Sequence, residues 1–401
     1  METKDYRLGD AVEVVDTLHA TAPVVDTDTQ YKMIRTANVR DGHLLTDTMR
    51  CVTEETYDKW TRRGTLEVGD VILTREAPMG EVGIIKRNDV RYFLGQRTLR
   101  LRPVSDVLDS KFLYYYLQGS YMQQQIGFNE GTGATVSNIR IPILLNMRMK
   151  LPVLDLQRRI VQILDAVDSK IELNQQINKN LLKLIDGMFN RVYLGSELVK
   201  NASKVKLSSI IRTKSGTFNP KKTSEVFVNH FSMPAFDAAR FPVVNTASDI
   251  KSNKNVVEPF SILVSKMNPD VKRVWLPNTS KELLNVASTE FLTFNADVPE
   301  MQAFVYAVVN DKRYQKYLES NATGSTNSRQ RVLPRVAYSY EIPYVKEVAQ
   351  QFGFQIVDIM DMIKLNKEQN QHLIRLRNVL LPKLLAGDID LSNIKTVMNN
   401  A

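Results

Sequence analysis

Apolar residues recur at alternating spacings of four and three along two stretches of the chain. The first runs Ile160, Leu164, Val167, Ile171, Asn174, Asn178, Leu181, Ile185, Met188; the second runs Phe352, Ile356, Ile359, Ile363, Asn366, Asn370, Leu373, Arg377, Leu380. Such spacing predicts two long helices, each of about 35 residues or ~50 Å, with a coiled-coil seam of about four heptads. Pro152 and Pro343 stop the strands ahead of them. The rest of the chain is patterned differently. Short β-like runs ("DVILT", "VGIIK", "RTLRLRP", then "SILVS", "RVWLP", "EFLTF") are separated by turn formers, and each set leads into a helical stretch, 109–126 and 299–320. The mixture predicts α/β (α+β) globular parts.

The two sets are copies of one plan. "GDVILTREAP" (69–78) matches "FSILVSKMNP" (260–269), "TGATVSNIR" (132–140) matches "TGSTNSRQR" (323–331), and "LP" at 151–152 matches "IP" at 342–343, all at one constant offset. "YRLGDAV" (6–12) matches "VKLSSII" (205–211) at a slightly larger one, and the helices match with one residue inserted near Gly353. The shared order marks an internal duplication, roughly 1–196 and 203–392. Its expected parts are a globular region 1–150, a helix region 151–196, a second globular region 203–341, a second helix region 342–392 and a tail 393–401.

Asparagine stands at the middle of both seams, where an apolar residue is expected. Antiparallel helices would set Asn174 against Asn370 and Asn178 against Asn366, in one register that also sets Ile171 against Leu373 and Leu181 against Ile363. A buried amide facing an apolar neighbour costs ~1–3 kcal/mol, so such pairs would trade some burial for a fixed register. The competing expectation is that these asparagines face solvent. Two like domains joined by an antiparallel pair would be related by a pseudo-two-fold axis. That arrangement suits a bipartite DNA site, because two-fold readers space half-sites by about one helical turn, ~34–36 Å.

Composition narrows the class. A net charge of +9 favours an anionic partner, nucleic acid first. Cys51 is the one cysteine, which excludes a disulfide framework and a four-cysteine zinc site and fits a reducing compartment. "METKDYRLGD" has no apolar core, so no signal peptide is expected there, and apolar runs such as "FVYAVV" (304–309) are too short to span a membrane. A cytoplasmic protein without a membrane partner is expected.

"LPVLDLQRRIVQILDAVDSKIELNQQIN" (151–178) resembles the first conserved region of Type I restriction–modification specificity subunits, and "LRNVLLPKLLAGDIDLS" (376–392) resembles the C-terminal end of that family. The duplicated plan is also similar, over nearly the whole chain. The resemblance implies a non-catalytic subunit in which each globular region is a target recognition domain reading one half of a split double-stranded DNA sequence. It implies that the helices set the spacer and dock two methyltransferase subunits, with restriction subunits joining the full complex. S-adenosylmethionine and ATP would then be cofactors of those partners, and none would belong to this chain. One departure matters: Arg158 and Arg159 of the first helix correspond to Gln350 and Gln351, and the second helix has Gly353 and a seam Arg377. The two docking faces therefore need not be equivalent.

Candidate DNA contacts follow from residue type. "NEGTGATVSN" (129–138) and "NATGSTNSRQR" (321–331) combine glycines, which let backbone N–H groups approach phosphate, with hydroxyl donors. They supply Gly131, Thr132, Gly133 and Thr135, then Thr323, Gly324 and Ser325, with Arg329 and Arg331 close by. Thr74 and Arg75 at one strand end align with Lys266 at another, where a cation could enter a groove. "SKVKLSSIIRTKSGTFNPKK" (203–222) contributes Lys214, Lys221 and Lys222 and contains no acid. Ordinary turns and surface cations explain each of these features about as well. "RTLRLRP" puts Arg97 on one strand face and Arg100 and Arg102 on the other, as an edge strand with a solvated face would.

Catalytic readings fare worse. "NPD" (268–270) and "FNP" (218–220) lack the second proline and the aromatic of an amino-methyltransferase loop, and "PDVK" (269–272) lacks the nuclease carboxylate before its lysine. No G-x-G-x-x-G turn or Walker lysine occurs. His19, His43, His230 and His372 lack metal-ligand spacing, so no metal is expected. Two alternatives stay open: a coiled-coil scaffold that binds proteins rather than DNA, and a methyltransferase or nuclease site assembled only in space.

Overall fold

A computed structural model describes residues 2–18, 20–104, 106–128, 138–324 and 330–391. Two compact units emerge: 1–169 with 373–401, and 170–372. The helices Leu154–Met188 and Lys346–Ala386, 35 and 41 residues long, each contribute a segment to both units.

In the first unit the runs "DVILT" and "RTLRLRP" become strands Val71–Thr74 and Thr98–Pro103 of an antiparallel four-stranded sheet. Its order is Val12–Asp16, Thr98–Pro103, Val71–Thr74, Val82–Ile84. A three-stranded sheet pairs Tyr31–Ile34 with Arg50–Cys51 and, in parallel, with Arg91–Leu94. Asp109 caps the helix Ser110–Gln118 by accepting from the amides of Lys111 and Phe112, and the six residues Phe112–Leu117 are all buried. In the second unit, strand Ser261–Ser265 lies between Val274–Trp275 and Phe291–Asn295, beside a five-stranded sheet that includes Phe227–Phe231 and Leu284–Ala287.

In each unit one two-stranded antiparallel ladder joins the start of the globular region to its end. It pairs Lys4–Arg7 with Arg148–Leu151 in the first, and Lys204–Lys206 with Glu341–Pro343 in the second. Pro343 closes its strand from inside, as the last paired residue.

Each helical stretch expected to be continuous is broken, and in both copies at a corresponding place. The first stops at Gln118 and restarts at Ser120, because Gly119 takes an extended backbone. A Cβ at Gly119 would stand 2.6 Å from Leu385 Cδ1. The second stops at Asn310 and restarts at Lys312, because Asp311 turns its carboxylate to cap the amide of Arg313.

The helices run antiparallel and bury part of their expected seam within each unit, but Val167 and Ile359 are only half-buried and the neighbouring Asp168 and Met360 take the buried places. Ile160, Leu164 and Leu384 enter the core of the first unit, and Ile171, Ile185, Phe352, Ile356 and Ile363 are buried in the second. The two units fill one corresponding layer differently. In the first, Asp168 is 4% exposed and accepts from the Tyr115 hydroxyl at 2.9 Å and from Arg377 Nη1 at 3.1 Å. Burial, then the neighbouring Asp168 carboxylate, pushes the Tyr115 phenol far above its ordinary range. The corresponding residues of the second unit are Met360, Tyr306 and Ile185, all part of its apolar core. Gly353 also acquires a reason: a Cβ there would lie 1.9 Å from the Glu300 carbonyl oxygen, so only glycine lets the helix meet the first turn of Pro299–Asn310.

Two stability predictions follow from these contacts. Arg377→Met strands a buried carboxylate and should cost ~3–5 kcal/mol, whereas Asp168→Met with Arg377→Ile and Tyr115→Phe, an apolar layer, should be neutral or stabilising; denaturant titration reads both. Gly353→Ala should lose ~1–3 kcal/mol by overpacking, while Gly187→Ala, whose added methyl meets nothing within 4 Å, should gain ~0.5–1 kcal/mol.

Candidate nucleic-acid interface

The candidate cations at the two strand ends sit in the same backbone frame. In the first unit, strand Val71–Thr74 ends in a turn closed by Thr74, which is fully buried and accepts through Oγ1 from the Glu81 amide at 2.9 Å. Thr74 is thus a turn-closing residue with no surface to offer a ligand. The Arg75 carbonyl accepts from the Ile139 amide at 3.0 Å, and Glu76 and Asn138 form a bridge. In the second unit the Lys266 carbonyl accepts from the Val332 amide at 2.9 Å, and Met267 and Arg331 form a bridge. Ala77 and Asn268, each ahead of a proline, take positive φ values of 36° and 44°. Each glycine-hydroxyl segment is therefore pinned at its C-terminal end to a strand-end cation, a juxtaposition the sequence alone left open.

The side chains on this frame differ between units. Arg75 is no free cation. Its side chain is 12% exposed, and Nη1 donates to Asp16 at 2.8 Å while Nη2 donates to Asn138 at 3.4 Å. Asn138 donates in turn to Glu76 at 2.9 Å, and Glu76 pairs with Arg97 at 3.0 Å. Lys266 is half-buried and has no ion pair among the described residues. Arg331 is exposed but pairs with Glu290 at 3.2 Å; its backbone exchanges two bonds with Thr323, at 2.8 and 2.9 Å. Thr323 and Gly324 are exposed, and Gly324 takes a φ of 149° that favours glycine. Gly131, Thr132, Gly133, Thr135, Ser325 and Arg329 lie outside the described residues.

Lys214, Lys221 and Lys222 are exposed. Asn219 Oδ1 accepts from the Lys221 amide at 2.9 Å and shapes that turn. Arg212, from the same acid-free stretch, is held by Glu258 and Asp297 at 2.7 and 2.8 Å, acids supplied by distant segments. Their bonds hold its guanidinium more strongly protonated than usual. The arginines of "RTLRLRP" need correcting. Their strand lies between two others, so it is no edge. Arg97 takes a φ of 69° ahead of it, Arg100 is 3% exposed and pairs with Glu13, and Arg102 pairs with Asp70 and Glu67. Sequence reading missed Asp16 and Glu290 as partners; Asp16 is 59 residues from Arg75, and no local pattern couples them. No group of three or more metal-ligating side chains is found among the described residues, and none of their helices is long and apolar enough to cross a membrane.

The seam asparagines meet one another. Asn174 Nδ2 donates to Asn370 Oδ1 at 2.8 Å, and Asn366 Nδ2 donates to Asn178 Oδ1 at 2.8 Å. Asn370 and Asn178 each pass their own amide on, to the carbonyls of Ile171 and Ile363, both at 3.3 Å. Asn174 also donates to Gln369 at 2.8 Å, which its counterpart does not match, and its own Oδ1 is buried without a partner.

A family model described as Type I restriction modification DNA specificity domain matches residues 3–183. The Type I restriction enzyme MjaIX specificity subunit of Methanocaldococcus jannaschii is 22% identical over 378 residues, covering 85% of this chain and 82% of that protein. The MjaVIII specificity subunit of the same organism is 28% identical over 174 residues, covering 42% of this chain and 40% of that protein, less than half its length. Among solved structures, the S subunit of a Type I restriction-modification system from M. genitalium shares the fold, with a TM-score of 0.57 at 18% identity over 96% of both chains.

Proposed function

We propose that the chain is a specificity subunit of a Type I restriction–modification system, and that its two recognition domains each read one half of a split duplex DNA target. The observation that carries this reading is the strand-end frame built twice, each time tying a hydroxyl-rich segment to a basic position. A surplus of nine positive charges supports it, because phosphate neutralisation supplies most sequence-independent affinity. In this reading Lys214, Lys221, Lys222 and Lys266 meet phosphates, Thr323 and Gly324 offer donors beside them, and Arg331 can leave the exposed Glu290 pair for a base or phosphate. The chain positions DNA and leaves the chemistry to partners. Two methyltransferase subunits holding S-adenosylmethionine dock on the helices, and ATP-dependent restriction subunits complete the assembly in the cytoplasm. The asparagine pairs fix the register of the helices, and through it the spacing between half-sites.

Two measurements check the proposal. Binding of the full chain to random duplex should weaken steeply with salt, and Lys221→Gln with Lys222→Gln should reduce the log–log slope by ~2; salt-independent binding, or none, would count against DNA recognition. Asn370→Leu alone leaves Asn174 facing an apolar residue and should cost ~1–3 kcal/mol. Adding Asn174→Leu should recover most of that loss while cysteine cross-links along the seam report more than one register; a double variant as unstable as the single would assign the amides another task.

A further inference from the structure

Arg75 and Lys266 occupy corresponding positions, yet among the described residues only Arg75 is committed to a carboxylate. Asp16, which binds Arg75, is 15% exposed and belongs to strand Val12–Asp16 of the same sheet. In the second copy the aligned residue is Ser215, which carries no charge. Around Arg75 the polar contacts run from Asp16 through Arg75 to Asn138, Glu76 and Arg97, and the Arg75 amide returns to the Arg97 carbonyl at 2.9 Å. The guanidinium is spent within this ring, and its buried Nε finds no partner. A cation in this position has little left for DNA. It does fix two points, the turn that follows Thr74 and the side chain of Asn138.

We infer that Arg75 and Asp16 form a positioning pair that sets the sequence discrimination of the first recognition domain, whereas Lys266 at the same place in the second domain contacts DNA directly. The inference rests on the DNA-reading function proposed above. The two roles separate by sign. If Arg75 touched phosphate, removing Asp16 would free it and tighten binding to any duplex. As a positioning pair, loss of either member blurs recognition and leaves non-specific attraction alone. A buried pair broken on one side leaves an uncompensated charge, whereas a neutral pair of matching shape does not.

The test uses the full chain to select duplexes from a randomised library, with sequencing of the bound pool and salt titration on random duplex. Wild type should yield a motif of two halves. Arg75→Met and Asp16→Asn should each lower discrimination about ten-fold at one half only, the scale of a single lost base-pair preference, with the other half and the salt slope unchanged. The double variant Asp16→Asn with Arg75→Gln, an amide pair without charge, should restore most of the motif. Lys266→Met should instead reduce the salt slope by ~1. An intact motif in both single variants, tighter random binding by Asp16→Asn, or a reduced slope in Arg75→Met would overturn the inference while leaving DNA recognition standing. A blurred motif that the double variant fails to restore would reduce the pair to general stability and also overturn it. A wild-type chain that selects no motif removes the DNA reading, and this inference with it.

Discussion

A polar group taken out of water is penalised unless it meets a partner, and this constraint shapes the helix pair. Amides at the middle of the seam answer amides, with the leftover donors passed to backbone carbonyls one turn away. Each such group would be worth little if exposed; once buried, the penalty for mispairing makes it selective. Asp168 obeys the same rule at greater stakes, because its charge is shared between a phenol and a guanidinium contributed by different elements. The apolar counterpart in the second unit meets the same packing demand with no charge to satisfy. Two chemical solutions thus serve one backbone position, and the charged one depends more on its partners.

The duplication shows what a fold retains when its sequence drifts. The backbone bonds made by Thr74, Arg75 and Ile139 recur at Ser265, Lys266 and Val332, as does the uncommon positive φ ahead of each proline. Side chains on that frame have diverged, so that one cation is locked and the other has no ion pair among the described residues. On the proposed function, a domain that reads its own half-site gains from this arrangement, since the geometry of presentation is kept while the chemistry presented can vary.

Much of this was legible in the sequence, and for physical reasons. The four–three spacing fixed where the helices lie, and asparagine was conspicuous because it broke an apolar series. Helix continuity was misread where a single residue overrode propensity: Gly119 under Leu385, and Asp311 capping the segment after it. Glycine ordinarily weakens a helix interior, yet Gly353 is a close contact with Glu300 that no helical pattern encodes. The candidate cations were harder still. Arg75 and Arg212 looked free because the acids that hold them arrive from 59 and 46 or more residues away, and net charge along a segment says nothing about what folds against it.

The small ladders that begin and end each globular region have an evolutionary corollary. Because the chain enters and leaves beside itself, at Lys4–Arg7 with Arg148–Leu151 and again at Lys204–Lys206 with Glu341–Pro343, everything between is a cassette hung on two adjacent threads. Genetic recombination at those threads could replace a whole reading head without asking the helices to move, so new target preferences can arise by shuffling rather than by gradual repair of a disturbed core.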